Sequence, residues 1–184
     1  YAMHLALNYK GIPHLGIVLI PCKDELWFSN GDITWCEDRN RLRKAPKLSK
    51  LRSLNQMTLV RSKNHNNKTL KDLIEKIEFK KRIIMGSIGC KIASILRGES
   101  DLYISLSLPG KSSPKDWDLA APEAILISAG GAITNIANQR LNYKKDNFEQ
   151  KGIIIASSNK QTHEIVCNQI NEVIKENNLY PFFS

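Results

Sequence analysis

The sequence is short of cysteine and of long apolar runs, and both absences exclude classes of protein. Its four cysteines, at positions 22, 36, 90 and 167, form no C-x-x-C pair, so neither a zinc site nor a dense disulfide framework is predicted. No stretch reaches the roughly 18 apolar residues that cross a bilayer, and no basic segment followed by an apolar run and a cleavage site opens the chain. We therefore expect a cytoplasmic protein with reduced thiols and no stable membrane insertion.

The charge of the chain is unbalanced toward bases, which favours anionic partners. Lys and Arg number 27 against 18 Asp and Glu, for a net charge of +9, and such an excess raises the local concentration of anions. The alternative is an ordinary solvated surface. Because the bases are spread along the chain rather than gathered with aromatic residues, we predict a small anionic partner and no nucleic acid.

The opening residues predict antiparallel strands followed by a loop. With 184 residues, 42% of them hydrophobic, the chain is long enough for one compact unit with a core. Residues 39–50 are basic, contain Pro46 and show no apolar period, so they predict an exposed connection. Alternation and turn residues before it predict strands at 1–9, 15–20, 26–29 and 33–36.

The rest of the chain predicts strands and helices in alternation. Apolar residues recur at helical spacing in 68–77 and in 162–175, where they form one inward face. The resulting order predicts a layered α/β domain. The predicted strands are 57–62, 82–85, 101–108, 131–135 and 152–157, and the predicted helices are 68–77, 87–97, 118–129 and 162–175.

Residues 116–131, DWDLAAPEAILISAGG, predict a helix of small residues that begins at Asp118 and ends at two glycines. Pro122 is expected at or near the first turn, where a missing N–H costs least. The free N–H groups and the dipole at the helix N-terminus favour an ionised Asp118, which is the kind of oxygen ligand that Mg²⁺ takes. The alternatives are that Asp118 is only an N-cap and that Trp117 is only a packing residue.

Residues 86–103, GSIGCKIASILRGESDLY, predict a glycine turn that leads into a helix. Gly86 permits the tight turn, and Ser87 lies near the helix N-terminus, where free N–H groups hold anions. Lys91 follows four residues later on the same face. Ser87 and Lys91 are therefore candidates to bind one phosphate. The alternative is an ordinary helix with a solvent-facing lysine.

Both stretches resemble signatures of one family. Residues 117–134, from Trp-Asp to the strand after Ala-Gly-Gly, resemble the second signature of the inositol monophosphatase superfamily of Mg²⁺-dependent, lithium-sensitive phosphatases, and 86–103 resemble its Gly-Ser turn, helix and Asp-Leu-Tyr strand. The resemblance implies a layered α-β sandwich of the inositol monophosphatase and sugar phosphatase type. It also implies water attack on a phosphomonoester with Mg²⁺ as the cofactor. Asp118 would be a catalytic metal ligand against the substrate, and Gly86, Ser87 and Lys91 would bind the substrate.

Residues 61–74, RSKNHNNKTLKDLI, point to a subgroup. A strand, a Ser-Arg-Ser-His-like turn and a helix are typical of bacterial 3'(2'),5'-bisphosphate nucleotidases of the CysQ type, which implies substrate contacts from Lys63 and His65. Lys63 lacks the flat guanidinium fork of arginine, and the alternative for His65 is a plain loop histidine. The implied substrate is adenosine 3',5'-bisphosphate, converted to AMP and phosphate in sulfur assimilation. Inositol monophosphate is the alternative substrate, and a non-catalytic fragment that binds nucleotide or nucleic acid is the alternative class.

The resemblance covers nearly the whole chain but only the later part of a family member. The opening strands, which start at Tyr1, resemble the segment after the first metal signature, and the Asp-x-x-Asp-Gly-Thr motif is absent from residues 1–184. We therefore expect the C-terminal portion of a larger protein, with 1–50 as the end of the first sheet and a basic loop, and 51–184 as the second α/β layer. We expect weak or no turnover from this portion, with an exposed sheet edge and an apolar face prone to association.

Overall fold

The computed structural model describes residues 1–63 and 67–179. Within them, two five-stranded sheets alternate with two helical layers, which confirms the predicted layered α/β architecture. One helical layer packs between the sheets, and the other covers the outer face of the second sheet. None of the helices in the described ranges is long and apolar enough to span a membrane.

The first sheet is antiparallel, and its strands follow chain order. The prediction of a plain loop over 39–50 is wrong at one place, since a short edge strand forms there. Its residues are charged and exposed, so they carry no apolar period, and Arg43 is held by an ion pair with Glu37 across the strands at 3.0 Å. The strands are β1 (Met3–Tyr9), β2 (Ile12–Ile20), β3 (Glu25–Ser29), β4 (Thr34–Glu37) and β5 (Arg43–Lys44).

The second sheet is mixed, with the spatial order β7-β6-β8-β10-β9. The strand β6 runs parallel to both β7 and β8, whereas β10 runs antiparallel to β8 and β9. Parallel neighbours place their carboxyl ends at one edge of the sheet, where ligands bind in open α/β folds. The strands are β6 (Thr58–Ser62), β7 (Lys81–Met85), β8 (Leu102–Ser107), β9 (Ala132–Asn135) and β10 (Gly152–Ser157).

The helices form two layers around this sheet. The helices α2 and α3 pack between the sheets, and α1 and α4 pack on the outer face of the second sheet. The strand β8 shows both contacts, because Leu102 and Ile104 join the outer core while Tyr103 joins the inner one. The helices are α1 (Lys68–Ile77), α2 (Ile88–Leu96), α3 (Asp116–Ser128) and α4 (His163–Glu176).

Small residues on α3 let it lie directly on the backbone of β2. A Cβ atom added at Gly16 would lie 2.6 Å from the carbonyl oxygen of Ala121 and 2.8 Å from the Cβ of Ala124. Thr34 of β4 donates a hydrogen bond of 2.7 Å to the carbonyl of Ile125. The small-residue composition of the helix is therefore explained by its close approach to the first sheet.

The predicted start of α3 is wrong by two residues. The helix begins at Asp116 after an N-cap at Lys115, so Pro122 lies in its interior rather than in its first turn. The earlier start is supported by a neighbouring segment, since the carbonyl of Phe148 accepts from the N–H of Asp116 at 2.9 Å. Proline has no N–H, so the carbonyl of Asp118 loses its usual partner within the helix.

Candidate functional site

A pocket of about 480 Å³ lies at the carboxyl edge of the parallel strands of the second sheet. It is formed by the ends of β6 and β8, the turn before α2, the start of α3 and the beginning of β1. Four of the predicted site residues meet there, although they come from two separate stretches of sequence. The lining includes Gly86, Ser87, Lys91 and Asp118, together with Ala2, His4, Ser62, Tyr103, Ser105, Ser107, Ser112, Ser113 and Trp117.

Ser87 stands where β7 turns into α2. It is the N-cap residue in an extended conformation, yet its side chain makes no capping hydrogen bond. Its hydroxyl instead lies 3.5 Å from the Nε2 atom of His4. The first turn of a helix presents N–H groups without intrahelical partners, and these groups and the helix dipole favour an anion. The turn is therefore suited to a phosphate oxygen.

Lys91 is buried and lines the pocket, so the alternative interpretation of a solvent-facing lysine is wrong. Its Nζ atom donates to the carbonyl of Gly86 at 2.7 Å and lies 5.1 Å from the ring centroid of Tyr103. Burial lowers the pKa of Lys91 to about 8, and the charges of Cys90 and Asp118 act in the opposite direction. The ammonium form therefore predominates at pH 7. It has three donors, so it fixes the turn and retains donors for an anion.

Asp118 combines a helix-end contact with a place in the pocket. It is the third residue of α3, and its Oδ2 atom accepts from the N–H of Lys115 at 2.9 Å. This hydrogen bond is one half of a capping box. Asp118 therefore does stabilise the N-terminus of the helix, as the alternative interpretation expects. The side chain is only half buried and lines the pocket with Ser87 and Lys91. It is the one carboxylate among the described residues of the lining.

His4 was missed in the sequence, although it lies between these groups. Burial lowers its pKa, while hydrogen bonding to the backbone of Trp117 and Asp118 and the charge of Asp118 oppose that fall. His4 therefore lies near the first turn of α3 as well as near Ser87. The alternation of β1, which turns His4 and Ala6 to the same face, was the signal that could have found it.

The sequence itself matches a known family. A model of the inositol monophosphatase family covers residues 1–175 of this sequence. The chain belongs to the inositol monophosphatase family.

Individual relatives agree with this family membership. The 3'(2'),5'-bisphosphate nucleotidase CysQ of Buchnera aphidicola is 32% identical over 143 residues, which are 78% of this chain and 51% of the relative. The CysQ structure from Bacteroides thetaiotaomicron has a TM-score of 0.70 at 20% identity, over 86% of this chain and 63% of that one. An inositol monophosphatase structure from Zymomonas mobilis has a TM-score of 0.72 at 22% identity, over 92% and 62%. The chain thus spans about half the length of the Buchnera relative.

Of the other two predicted substrate contacts, Lys63 is not part of the pocket lining and His65 cannot be placed relative to it. Lys63 is exposed at the end of β6, and its N–H donates to the carbonyl of Met85 at 3.1 Å, but it does not line the pocket. His65 lies outside the described residues. Neither residue therefore gains support as a contact from the geometry.

The described residues do not by themselves make a metal centre. Among residues 1–63 and 67–179, no group of three or more His, Cys, Asp and Glu side chains is arranged to hold a metal ion. Magnesium demands near-octahedral oxygen coordination and is usually bound through carboxylates, phosphates and waters together. Asp118 can supply one such ligand, which is not enough for a complete site in this family member.

Proposed function

We propose that residues 1–184 are the C-terminal α/β portion of a Mg²⁺-dependent phosphomonoesterase. Its substrate is adenosine 3',5'-bisphosphate, which it converts to AMP and phosphate in the cytoplasm during sulfur assimilation. The observation that carries the proposal is the convergence of Ser87, Lys91 and Asp118 on one pocket. The Buchnera nucleotidase, at 32% identity, supports the choice of substrate. In this proposal 1–50 end the first sheet and 51–184 form the second α/β layer.

Phosphate binding is the part of the reaction that this chain's own residues supply. The ammonium of Lys91 and the N-terminal turn of α2 attract the dianionic group, and the hydroxyl of Ser87 offers a further hydrogen bond. Asp118 is proposed as one magnesium ligand. Because the described residues do not complete the coordination, we expect weak or no turnover from residues 1–184 alone.

Phosphate release from adenosine 3',5'-bisphosphate in the presence of Mg²⁺ tests the proposal. The assay compares residues 1–184 with a longer chain in which the Asp-x-x-Asp-Gly-Thr portion of a family member precedes Tyr1. We expect release mainly from the longer chain, and a fall of about 100-fold on Asp118→Asn. The matched control is Asp146→Asn, because Asp146 is exposed and does not line the pocket.

A longer chain that releases no phosphate but binds RNA with steep salt dependence would favour a non-catalytic nucleic-acid binding role. Inositol 1-phosphate is assayed in parallel as the competing substrate. The specific reason is that the hydroxyls of Ser105, Ser107 and Ser112 line the pocket and suit a polyol. Faster release from inositol 1-phosphate would replace the nucleotidase assignment with an inositol monophosphatase.

A further inference from the structure

Two aromatic rings stand exposed beside the pocket. Trp117 lines the pocket, and yet 62% of its surface is open to solvent. Phe148 is 51% exposed, and its ring centroid lies 5.9 Å from that of Trp117 at an interplanar angle of 44°. Large apolar side chains that remain exposed next to a concave polar site are candidates for ligand contact.

The backbone holds this aromatic pair in place. The carbonyl of Phe148 accepts from the N–H of Asp116, and the N–H of Gln150 donates to the carbonyl of Pro114, both at 2.9 Å. Phe148 itself has a φ of +53°, which is uncommon for a bulky residue. The segment is therefore fixed on the start of α3, and the ring position does not depend on a mobile side chain alone.

A buried hydroxyl in the same pocket has no partner. Ser113 is only 6% exposed, and its Oγ atom has no hydrogen-bond partner among the described residues. A buried polar atom without a partner is costly. Since Ser113 and Trp117 line one pocket, a ligand that carries both a flat ring and polar groups satisfies the hydroxyl and covers the aromatic surface.

We propose that Trp117 and Phe148 form a stacking surface for the base of a purine nucleoside phosphate, and that Ser113 hydrogen-bonds the sugar or the base. The inference rests on the proposed function, since the phosphate is taken to lie at Ser87 and Lys91. Aromatic side chains stack on any base, and the interaction does not need sequence-specific hydrogen bonds. The pair therefore selects a nucleotide over a phosphorylated compound that lacks a base.

Isothermal titration calorimetry on residues 1–184 tests the inference without requiring turnover. The ligands are adenosine 3',5'-bisphosphate and ribose 5-phosphate, which differ in the presence of a base. We expect Trp117→Leu to weaken nucleotide binding about tenfold and to leave ribose 5-phosphate binding unchanged. Phe148→Leu should have a smaller effect of the same kind, and Trp117→Phe should retain most of the affinity.

The matched control is Tyr9→Leu. Tyr9 is 59% exposed and lies in an aromatic pair with His14, also at 5.9 Å between centroids, but it does not line the pocket. We expect its substitution to change neither affinity.

Unchanged nucleotide binding in both Trp117→Leu and Phe148→Leu would overturn the stacking surface and leave the proposed function standing. Equal weakening of both ligands would also overturn it, because the ring would then act on the phosphate site. If the unaltered chain binds neither ligand, the phosphate site and the proposed function fail together with the inference.

Discussion

The two sheets of this protein have five strands each but differ in how their faces are covered. The second sheet has α2 and α3 on one face and α1 and α4 on the other, and every residue of β8 is buried. Within residues 1–63 and 67–179, the first sheet has α2 and α3 on one face and no helix on the other. On its opposite face Met3, Leu5 and Leu7 are more than half exposed. The comparison shows that apolar residues on both faces of a strand do not guarantee that the described chain covers both.

Apolar side chains run across β1 to β4 on this face, and at the β4 end the guanidinium of Arg43 lies over two of their rings. Cross-strand pairing places Leu5 beside Ile17, Ile17 beside Phe28, and Phe28 beside Trp35. Residues directly opposite in an antiparallel sheet share one face, so these four side chains form a row. Contiguous apolar patches of this kind are unusual on soluble monomers.

The largest effect is expected from matched truncations in the two sheets. Ile155 of β10 is completely buried, whereas Ile17 of β2 is 36% exposed. We expect Ile155→Ala to lower the free energy of unfolding by about 2–5 kcal/mol because it leaves a cavity. Ile17→Ala should cost less than about 1 kcal/mol. Urea unfolding measures both, and equal losses would show that the first sheet is covered in solution.

The stability that the outer helical layer contributes should also depend on pH. His163 is almost fully buried between Thr134 and Ser157, whose hydroxyls lie 2.8 and 2.7 Å from its ring nitrogens, and burial lowers its pKa to about 4. In the unfolded chain His163 takes up a proton near pH 6.5, whereas in the folded chain it does not. This contribution to stability, about 3 kcal/mol at most, is complete above pH 6.5 and is lost as the pH falls toward 4.

Urea unfolding between pH 7 and pH 4 measures this loss, and His163→Gln should remove it. Glu123 of α3 provides a control, because its effect on the free energy of unfolding has the opposite pH dependence. Burial raises the pKa of Glu123 to about 7. Its contribution is complete below pH 4.5 and is lost as the pH rises toward 7. An unchanged pH profile in His163→Gln would contradict the assignment to His163.

A charge placed in the uncovered row should improve solubility. We expect Leu5→Lys to reduce aggregation as the protein is concentrated. Removal of a leucine from an apolar contact between molecules weakens that contact by about 2 kcal/mol. Static light scattering at increasing protein concentration measures the change. The control is Ile165→Lys on α4, since Ile165 is 55% exposed outside the row. Equal effects of the two variants would mean that net charge alone controls aggregation.

The smallest expected effect concerns the contact between the first sheet and α3. Thr34→Val removes the hydrogen bond to the carbonyl of Ile125 and should cost about 1 kcal/mol of unfolding free energy. Thr162→Val is the control, because Thr162 stands at the start of α4 without a side-chain cap. A Thr34 variant as stable as its control would show that packing alone joins the sheet to the helix.

Much of the fold was predictable from local sequence pattern. Where the prediction was wrong, the error has a physical cause. The helix α1 was predicted at its exact bounds because Leu70, Leu73, Ile74 and Ile77 recur at helical spacing and are buried. The start of α3 was placed two residues late because its first partner, the carbonyl of Phe148, lies about thirty residues away in the chain. The strand β5 has no apolar period, since backbone pairing, ion pairs of Arg43 and Lys44 and the packing of Arg43 on two aromatic rings define it.

The candidate site was predictable in part. Ser87 and Asp118 follow from helix starts that carry a hydroxyl and a carboxylate, and both line the pocket. Lys91 was predicted as a phosphate contact, but its burial against Tyr103 and its bond to the carbonyl of Gly86 could not be read from the sequence. Ser113 and Phe148 carry no local signal, because a loop serine and an isolated phenylalanine look the same whether or not they meet a ligand.

The sequence by itself determined the chemical groups of this protein and the local elements that carry them, because helix and strand periods and turn residues act over a few neighbours. Only the tertiary structure decided that the turn at Gly86 meets the start of α3, that Trp117 meets Phe148, and that the described part of the chain leaves one face of the first sheet uncovered. These outcomes depend on which strand edges and helix faces pack together, and that packing is settled by contacts between distant segments.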